Sequence, residues 1–245
     1  MQDKLAAVFG GSGFLGRYVV GALAGNGWRV RAASRRPYLA GHLQPMGDVG
    51  QIHAIQANVR HAYSVSGPVE GAETVVNLVG ISTKSSAQTL EDVNVGGARA
   101  VARAARKAGV KTLIHVSTIC AHPKSASRLG RTKAEGETAV LEEFPDAVIF
   151  RPSLMFGAED RLFNRVAAFA RLSPLIPLIG GAGRRCSWFT SATSQRRLLP
   201  HARVWRSQVR LMSWEARTSS AIGSLSTTRW SGRVAAAGMC RYHTG

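Results

Sequence analysis

Along the chain, short apolar runs alternate with longer stretches whose apolar residues recur every three or four positions. Residues 5–9, LAAVF, are continuously apolar and lead into glycines, which suits a strand buried on both faces of a sheet. After them Phe14, Leu15, Val19, Val20 and Leu23 fall at helical spacing, and the pattern stops at Gly-Asn-Gly (25–27), a helix C-cap signal. WRVRAAS (28–34), QIHAIQA (51–57) and ETVVNLVG (73–80) read as three more strands. LEDVNVGGARAVARAARKAG (90–109) reads as a long Ala-rich helix ending in Gly109, and VKTLIHVST (110–118) as a fifth strand. Residues 129–144 read as a helix that Pro145 ends, and AVIFRPS (147–153) as a sixth strand. Strands alternating with helices imply an α/β fold, a doubly wound parallel sheet with right-handed crossovers.

After about residue 183 this pattern fails. The remaining stretch shows no sustained period of 2 or 3.6, and it carries four of the five Trp and two of the three Cys. The net charge of +18 divides at the same place: residues 1–184 contribute +9, and residues 185–245 contribute +9 from ten Arg against Glu215 alone. Globular surfaces mix both signs of charge. The expected organisation is therefore an α/β domain over 1–183 and a basic, irregular tail over 184–245, truncated or non-native relative to the domain it follows.

Composition narrows the class. A chain of 245 residues with 45% hydrophobic content can bury one substantial core. It has no run of about 18 apolar residues, so no transmembrane segment is expected. A basic region followed by a long apolar stretch is missing at the N-terminus, so no signal peptide is expected either. Cys120, Cys186 and Cys240 form no C-x-x-C pair, which suggests a reducing, cytoplasmic compartment. The seven His lack metal-ligand spacing, and no metal site is expected. Arg99, Arg103 and Arg106 lie at helical spacing. They read as a solvated face, and no specific nucleic-acid partner is expected.

The first candidate chemistry is GGSGFLG, readable as Gly11-x-Gly13-x-x-Gly16 or as Gly10-x-x-Gly13-x-x-Gly16. It follows a strand and opens a helix, the context in which such glycines cradle a dinucleotide pyrophosphate against free helix N–H groups. NAD sites place a carboxylate at the end of the second strand, on the ribose 2′-hydroxyl. Here that strand ends Ser34-Arg35-Arg36. Guanidinium groups pair with a 2′-phosphate, so NADP(H) is expected in preference to NAD(H), which stays possible.

The glycine loop, NVGGARAVARAARKAGVKTLIHVST and RTKAEGE occur in the order and spacing of the extended and atypical short-chain dehydrogenase/reductases, and the chain resembles that family over residues 4–183. RPSLMFGAEDRLFNR (151–165) is similar to the Rossmann-type accessory subunit of respiratory complex I and its bacterial homologues, often labelled NAD-dependent epimerase/dehydratases. The resemblance implies a cofactor site containing Gly10, Gly11, Ser12, Gly13, Phe14, Leu15 and Gly16, with Arg35 and Arg36. It also carries over Asn58, where relatives place an Asp near the adenine, and Val59, Leu78, Val79, Gly80, Pro152 and Ser153. Asn94 matches a family asparagine. Catalytic relatives use a Ser or Thr, a Tyr and a Lys; here these fall on Ser117 (or Thr118), Leu129 and Lys133. An aliphatic side chain transfers no proton, and losing a positioned acid–base group forfeits about 10²–10⁴ in rate. Leu129 is expected as a core residue of its helix, and Lys133 as a ligand of the nicotinamide ribose. The implied role is a non-catalytic, accessory one, with complex I or another inner-membrane assembly as partner, peripheral at the cytoplasmic or matrix face. The alternative is an NAD(P)-dependent oxidoreductase, epimerase or dehydratase acting on a small molecule or quinone-pathway intermediate.

Relatives continue past this point with stretches like QPVYVGDVAEA and YELGGP, which the tail lacks. Back-translated with GC-rich codons and read two bases later, residues 186–197 can give Gln-Leu-Val-Tyr-Val-Gly-Asp-Val-Ala-Glu-Ala. Residues 211–218 in the same frame give Tyr-Glu-Leu-Gly-Gly-Pro-Asp. The tail is thus expected to be a frameshifted remnant, the rival reading being a basic arm for nucleic acid or anionic lipid.

Overall fold

A computed structural model describes residues 4–157, 159, 160, 164 and 188–190. Six parallel strands form one sheet: β1 (Leu5–Phe9), β2 (Arg29–Ser34), β3 (Ile52–Gln56), β4 (Thr74–Asn77), β5 (Thr112–Val116) and β6 (Val148–Phe150), in the order β3-β2-β1-β4-β5-β6. The order reverses at β1, which creates the crevice between β1 and β4 where ligands of such sheets bind. Alternation sends Ala6, Val8, Val30, Ala32, Val76, Ile114 and Val116 to one face. Ala7, Phe9, Ala33, Val75 and Leu113 go to the other. Small and β-branched side chains on both faces explain the continuous apolar runs.

Helices cover each face with the stripes that the sequence periodicity marks. α1 (Phe14–Gly25) seats Leu15, Val19, Val20 and Leu23 on the first face. On the second, α2 (Ala62–Val69) contributes Val65 and Val69, α3 (Ala98–Lys107) contributes Val101, Ala102 and Ala105, and α4 (Arg128–Glu143) contributes Val140. Arg99 and Arg103 pair with Glu142 and Glu143 of α4. This is a solvated, mixed-charge face of the kind that surface ion pairs stabilise only slightly.

Several expectations change. The fourth strand ends at Asn77, three residues early, because residues 78–80 turn onto the glycine loop. The long helix begins as a π-turn over Asp92–Gly97 before α3 proper. α2 and a 3₁₀ segment, Pro37–Met46, have no counterpart in the periodicity reading. Internal prolines (Pro45, Pro68) and glycines (Gly41, Gly67) break up their apolar patterns. The stretch after β6 forms β7 (Leu154–Phe156), paired in parallel with β8 (Trp188–Thr190). Three residues of the tail expected to be irregular are therefore a strand; the rest of that expectation lies outside the described residues. Among the described residues, no helix is long and apolar enough to cross a membrane.

Candidate functional site

The site is built at the C-terminal ends of the central strands. Gly10 turns the chain out of β1 at φ +80°, a backbone region that side chains disfavour, and its N–H donates to Ala33 O at 2.9 Å. Gly13 N–H then donates to Gly10 O at 3.0 Å, and Arg17 N–H to Gly13 O at 3.1 Å, which starts α1. A Cβ at Gly16 would lie 2.2 Å from Gly10 O and 2.5 Å from Gly11 O. The loop thus folds directly on α1, and both frames meet structural requirements: Gly10 through its positive φ, and Gly11 through a Cβ position only 3.0 Å from Ala32 Cβ. Gly13 itself is exposed, flanked by half-buried Ser12 and Phe14; its own N–H is taken by Gly10 O, but the loop lies at the surface where an anion would meet the helix start. Leu15 is only 7% exposed and its side chain belongs to the core.

Arg35 and Arg36 are exposed just past β2, while Ser34 Oγ is buried without a hydrogen-bond partner among the described residues. Across from them, Asn58 Oδ1 accepts the Arg60 N–H at 3.3 Å and shapes the turn after β3. Val59 is a core residue, against which a Cβ at Gly97 would collide at 2.7 Å. Its side chain is committed to packing, as that of Leu15 is.

The other half of the site centres on Lys133. Its side chain is 9% exposed, and Nζ lies 3.4 Å from Val116 O. Gly80 is the contact opposite, where a Cβ would fall 2.5 Å from Nζ. Burial pulls the Lys133 amine down to about 8, although Glu137 one turn on works against this. Glu137 is itself buried and held by Arg151, whose Nε donates to it at 2.9 Å. Ser117 Oγ and Ser153 Oγ are both buried and have no hydrogen-bond partner among the described residues, with Pro152 buried beside Ser153. The chain past β5 runs along the chain past β6, with Ser117 N–H on Phe150 O and Ile119 N–H on Pro152 O. Thr118 is half-buried. Asn94, 1% exposed, clamps Ile81 by donating to its carbonyl and accepting its N–H.

Leu129 departs from expectation. It is half-buried and outside both core clusters. The first turn of α4 packs through buried Gly130 on the loop at Cys120 and Ser125, and Leu129 beside it is neither core nor an acid. Four features escaped the sequence reading: the buried Ser34 hydroxyl, the Glu137–Arg151 pair, Glu159, which accepts from Tyr18 Oη at 2.6 Å, and the buried pair Asn77 and His115. Only the last had a visible signal, two polar residues interrupting apolar strand runs.

Backbone at the surface at the start of α1, buried hydroxyls lacking partners among the described residues and an ammonium at the crevice suit a phosphorylated, hydroxyl-rich ligand such as a dinucleotide. Among the described residues, no group of His, Cys, Asp or Glu is placed to hold a metal ion.

Over 180 residues the chain is 42% identical to NADH dehydrogenase (ubiquinone) 1 alpha subcomplex subunit 9, mitochondrial, of Rattus norvegicus, a match covering 73% of this chain and 48% of that one. It is 31% identical over 180 residues to the ceramide reductase of Caulobacter vibrioides, covering 74% and 55%. The chain thus spans about half the length of the curated relatives it matches. Among solved structures, MoeE5 in complex with UDP-glucuronic acid and NAD superposes with a TM-score of 0.67 over 81% of this chain and 72% of that one, at 19% identity, a likeness of fold. The family model for the NAD dependent epimerase/dehydratase family matches residues 6–171, and with the glycine loop, strand order and crevice lysine in place, the chain belongs to that family.

Proposed function

We propose that this chain binds a nicotinamide dinucleotide, NADP(H) in preference to NAD(H), and serves an accessory role without turning over a substrate. The observation that carries the reading is Leu129 one helical turn before Lys133. A hydride-transfer site of this design needs a proton donor there, while the groups that would hold the cofactor remain. In this reading the backbone N–H groups at the start of α1, other than that of Gly13, which Gly10 O holds, take the pyrophosphate. Arg35 and Arg36 take the 2′-phosphate, with Ser34 Oγ beside them. Asn58 and the backbone at Val59 border the adenine. Leu78, Val79 and Gly80 line the middle, and Ser117, Lys133, Pro152 and Ser153 meet the nicotinamide half. Likeness to relatives named as NADH dehydrogenase subunits supports respiratory complex I, or another inner-membrane assembly, as the partner. The location would be the cytoplasmic or matrix face.

A second reading, a reductase, epimerase or dehydratase of a small molecule, has its own support. Ser117 Oγ and Lys133 are retained, and one relative is named a ceramide reductase. Isothermal titration of NADPH and NADH, followed by an NADPH-oxidation assay with candidate carbonyl substrates, separates the two. Tight NADPH binding with negligible turnover is expected. Robust turnover that Lys133→Ala abolishes would establish the second reading instead.

Residues 184–245 we read as translated in a shifted frame, on the strength of two relative-like stretches emerging in order from residues 186–197 and 211–218. Sequencing of the gene across codons 180–190 tests this. If the printed frame is confirmed, the basic-arm reading takes over, with salt-dependent binding to DNA or anionic vesicles as its signature.

A further inference from the structure

Beneath the Lys133 end of the crevice lies a buried polar pair that dinucleotide binding does not use. Asn77, the last residue of β4, stands opposite His115 of β5 in register. They are 2% and 1% exposed. By strand alternation both share the face of Val75 and Leu113, which α2, α3 and α4 cover. Asn77 Nδ2 lies 3.2 Å from His115 Nδ1, and Asn77 Oδ1 accepts the Val79 N–H at 3.1 Å. These two contacts assign each other. With the amide oxygen taken by a backbone donor, the amide nitrogen donates to the ring, so Nδ1 carries the lone pair and Nε2 the proton. That Nε2 is buried and has no partner among the described residues.

A half-satisfied polar pair in a core is a poor source of stability, because an apolar pair of similar shape would avoid the desolvation of both groups. What the pair does secure is the backbone at Val79, and this turn is wedged between the two halves of the site. Leu78 N–H donates to Phe9 O at 3.0 Å. A Cβ at Gly10 would rest 3.4 Å from Val79 Cγ2, and one at Gly80 would strike Lys133 Nζ at 2.5 Å. Val79 thus lies close against Gly10 on one side, and its neighbour Gly80 against Lys133 on the other, so a shift of this segment would be felt at both.

We propose that Asn77 and His115 form a positioning pair that fixes the turn at residues 78–80 in the shape that receives the nicotinamide half of the dinucleotide. This rests on the dinucleotide reading above. Neither residue touches the ligand in this scheme; they act through Val79. Burial, with the nearby Lys133 charge second, holds the His115 imidazole down to about 3, so the ring is a neutral acceptor at any physiological pH.

The test uses the full chain in three forms: wild type, His115→Leu, which removes the acceptor, and His115→Asn, whose Oδ1 can stand where Nδ1 stood. Without any dinucleotide, amide hydrogen exchange at Val79 should quicken about 10-fold in His115→Leu, the loss expected for one hydrogen bond. Exchange at Val75 and Leu113 should not change. NADPH affinity should fall by about the same factor, and His115→Asn should restore both. Unchanged Val79 exchange in His115→Leu, or a His115→Asn variant as impaired as His115→Leu, overturns the proposal, the latter by showing a mere space-filling role. Should His115→Leu fail to fold, His115→Phe keeps the ring volume without the acceptor. The wild type alone also decides: a long-range proton–nitrogen spectrum must show the Nε2–H tautomer, and an Nδ1–H ring would overturn the pair. A wild type that binds no dinucleotide would defeat the reading of the site, while the exchange and tautomer measurements still judge the pair.

Discussion

Two alanine substitutions in one helix should act in opposite directions. At Gly16 a Cβ would sit 2.2 Å from Gly10 O and 2.5 Å from Gly11 O, about 1 Å or more inside an ordinary contact of ~3.5 Å. Both obstacles are backbone carbonyls, so no side-chain rotamer relieves them. Either α1 lifts off the loop or Gly10, already at φ +80°, must move. Overpacking of this kind destabilises by about 1–3 kcal/mol, and the helix-propensity gain of Gly to Ala, up to about 1 kcal/mol, offsets only part. The expected net loss for Gly16→Ala is about 1–2 kcal/mol. Gly25, at the far end of the same helix, has nothing within 4 Å of its Cβ position, so Gly25→Ala should gain about 0.5–1 kcal/mol. Urea denaturation of both variants reads the difference directly. The loop N–H groups would also shift by a distance comparable to the clash, and a misplacement of about 1 Å can cost about 10²-fold in a positioned interaction. NADPH titration of Gly16→Ala should show a loss of that order, with Gly25→Ala unaffected. A Gly16→Ala protein as stable as the wild type, with NADPH affinity intact, would refute both the cradle geometry and its assignment to the pyrophosphate.

Other outcomes follow from the same geometry. Replacing Arg35 and Arg36 together by alanine should weaken NADPH binding about 10-fold or more through lost charge-assisted bonds and leave NADH unchanged; calorimetry with both nucleotides decides it. Lys133 is depressed from 10.5 to about 8, chiefly by burial. Below pH 8 it is charged in both folded and unfolded states and its burial is a standing penalty, relieved as pH rises from about 8 towards 10.5. Lys133→Met should therefore raise stability at pH 7, by as much as roughly 3 kcal/mol. The gain should vanish by pH 10.5, and dinucleotide affinity should be lost, as denaturation and titration across that range would show. Arg151→Ala should leave the buried Glu137 carboxylate unpaired and cost about 2 kcal/mol. That is less than the 3–5 of a fully buried pair, because the Arg151 side chain is 54% exposed.

The sequence by itself determined the architecture and half of the site. Continuous apolar strands, helical stripes and a glycine loop at the first strand–helix turn are local signals, and each fixes backbone conformation or burial through neighbours close in the chain. Hence six strands, α1, α3, α4, the loop and the candidate lysine were legible. The short helix at 62–69 was not, since Gly67 and Pro68 mask it and its stability comes from seating Val65 and Val69 on the sheet. Contacts between strands distant in sequence settled the rest. Only the folded loop separates the demands on Gly10 and Gly11: Gly10 takes a positive φ, while Gly11 has a Cβ position crowded by Ala32 and Val8. Burial divides the carried-over residues, committing Leu15 and Val59 to the core while leaving the Ser117 and Ser153 hydroxyls without partners among the described residues. Leu129 was expected inside and lies half-exposed, because helical spacing alone does not say which positions of α4's first turn face the core. Asn77 and His115 are 38 residues apart, and no local pattern joins them. Their pairing exists because β4 and β5 lie side by side in register, which only the tertiary structure decides.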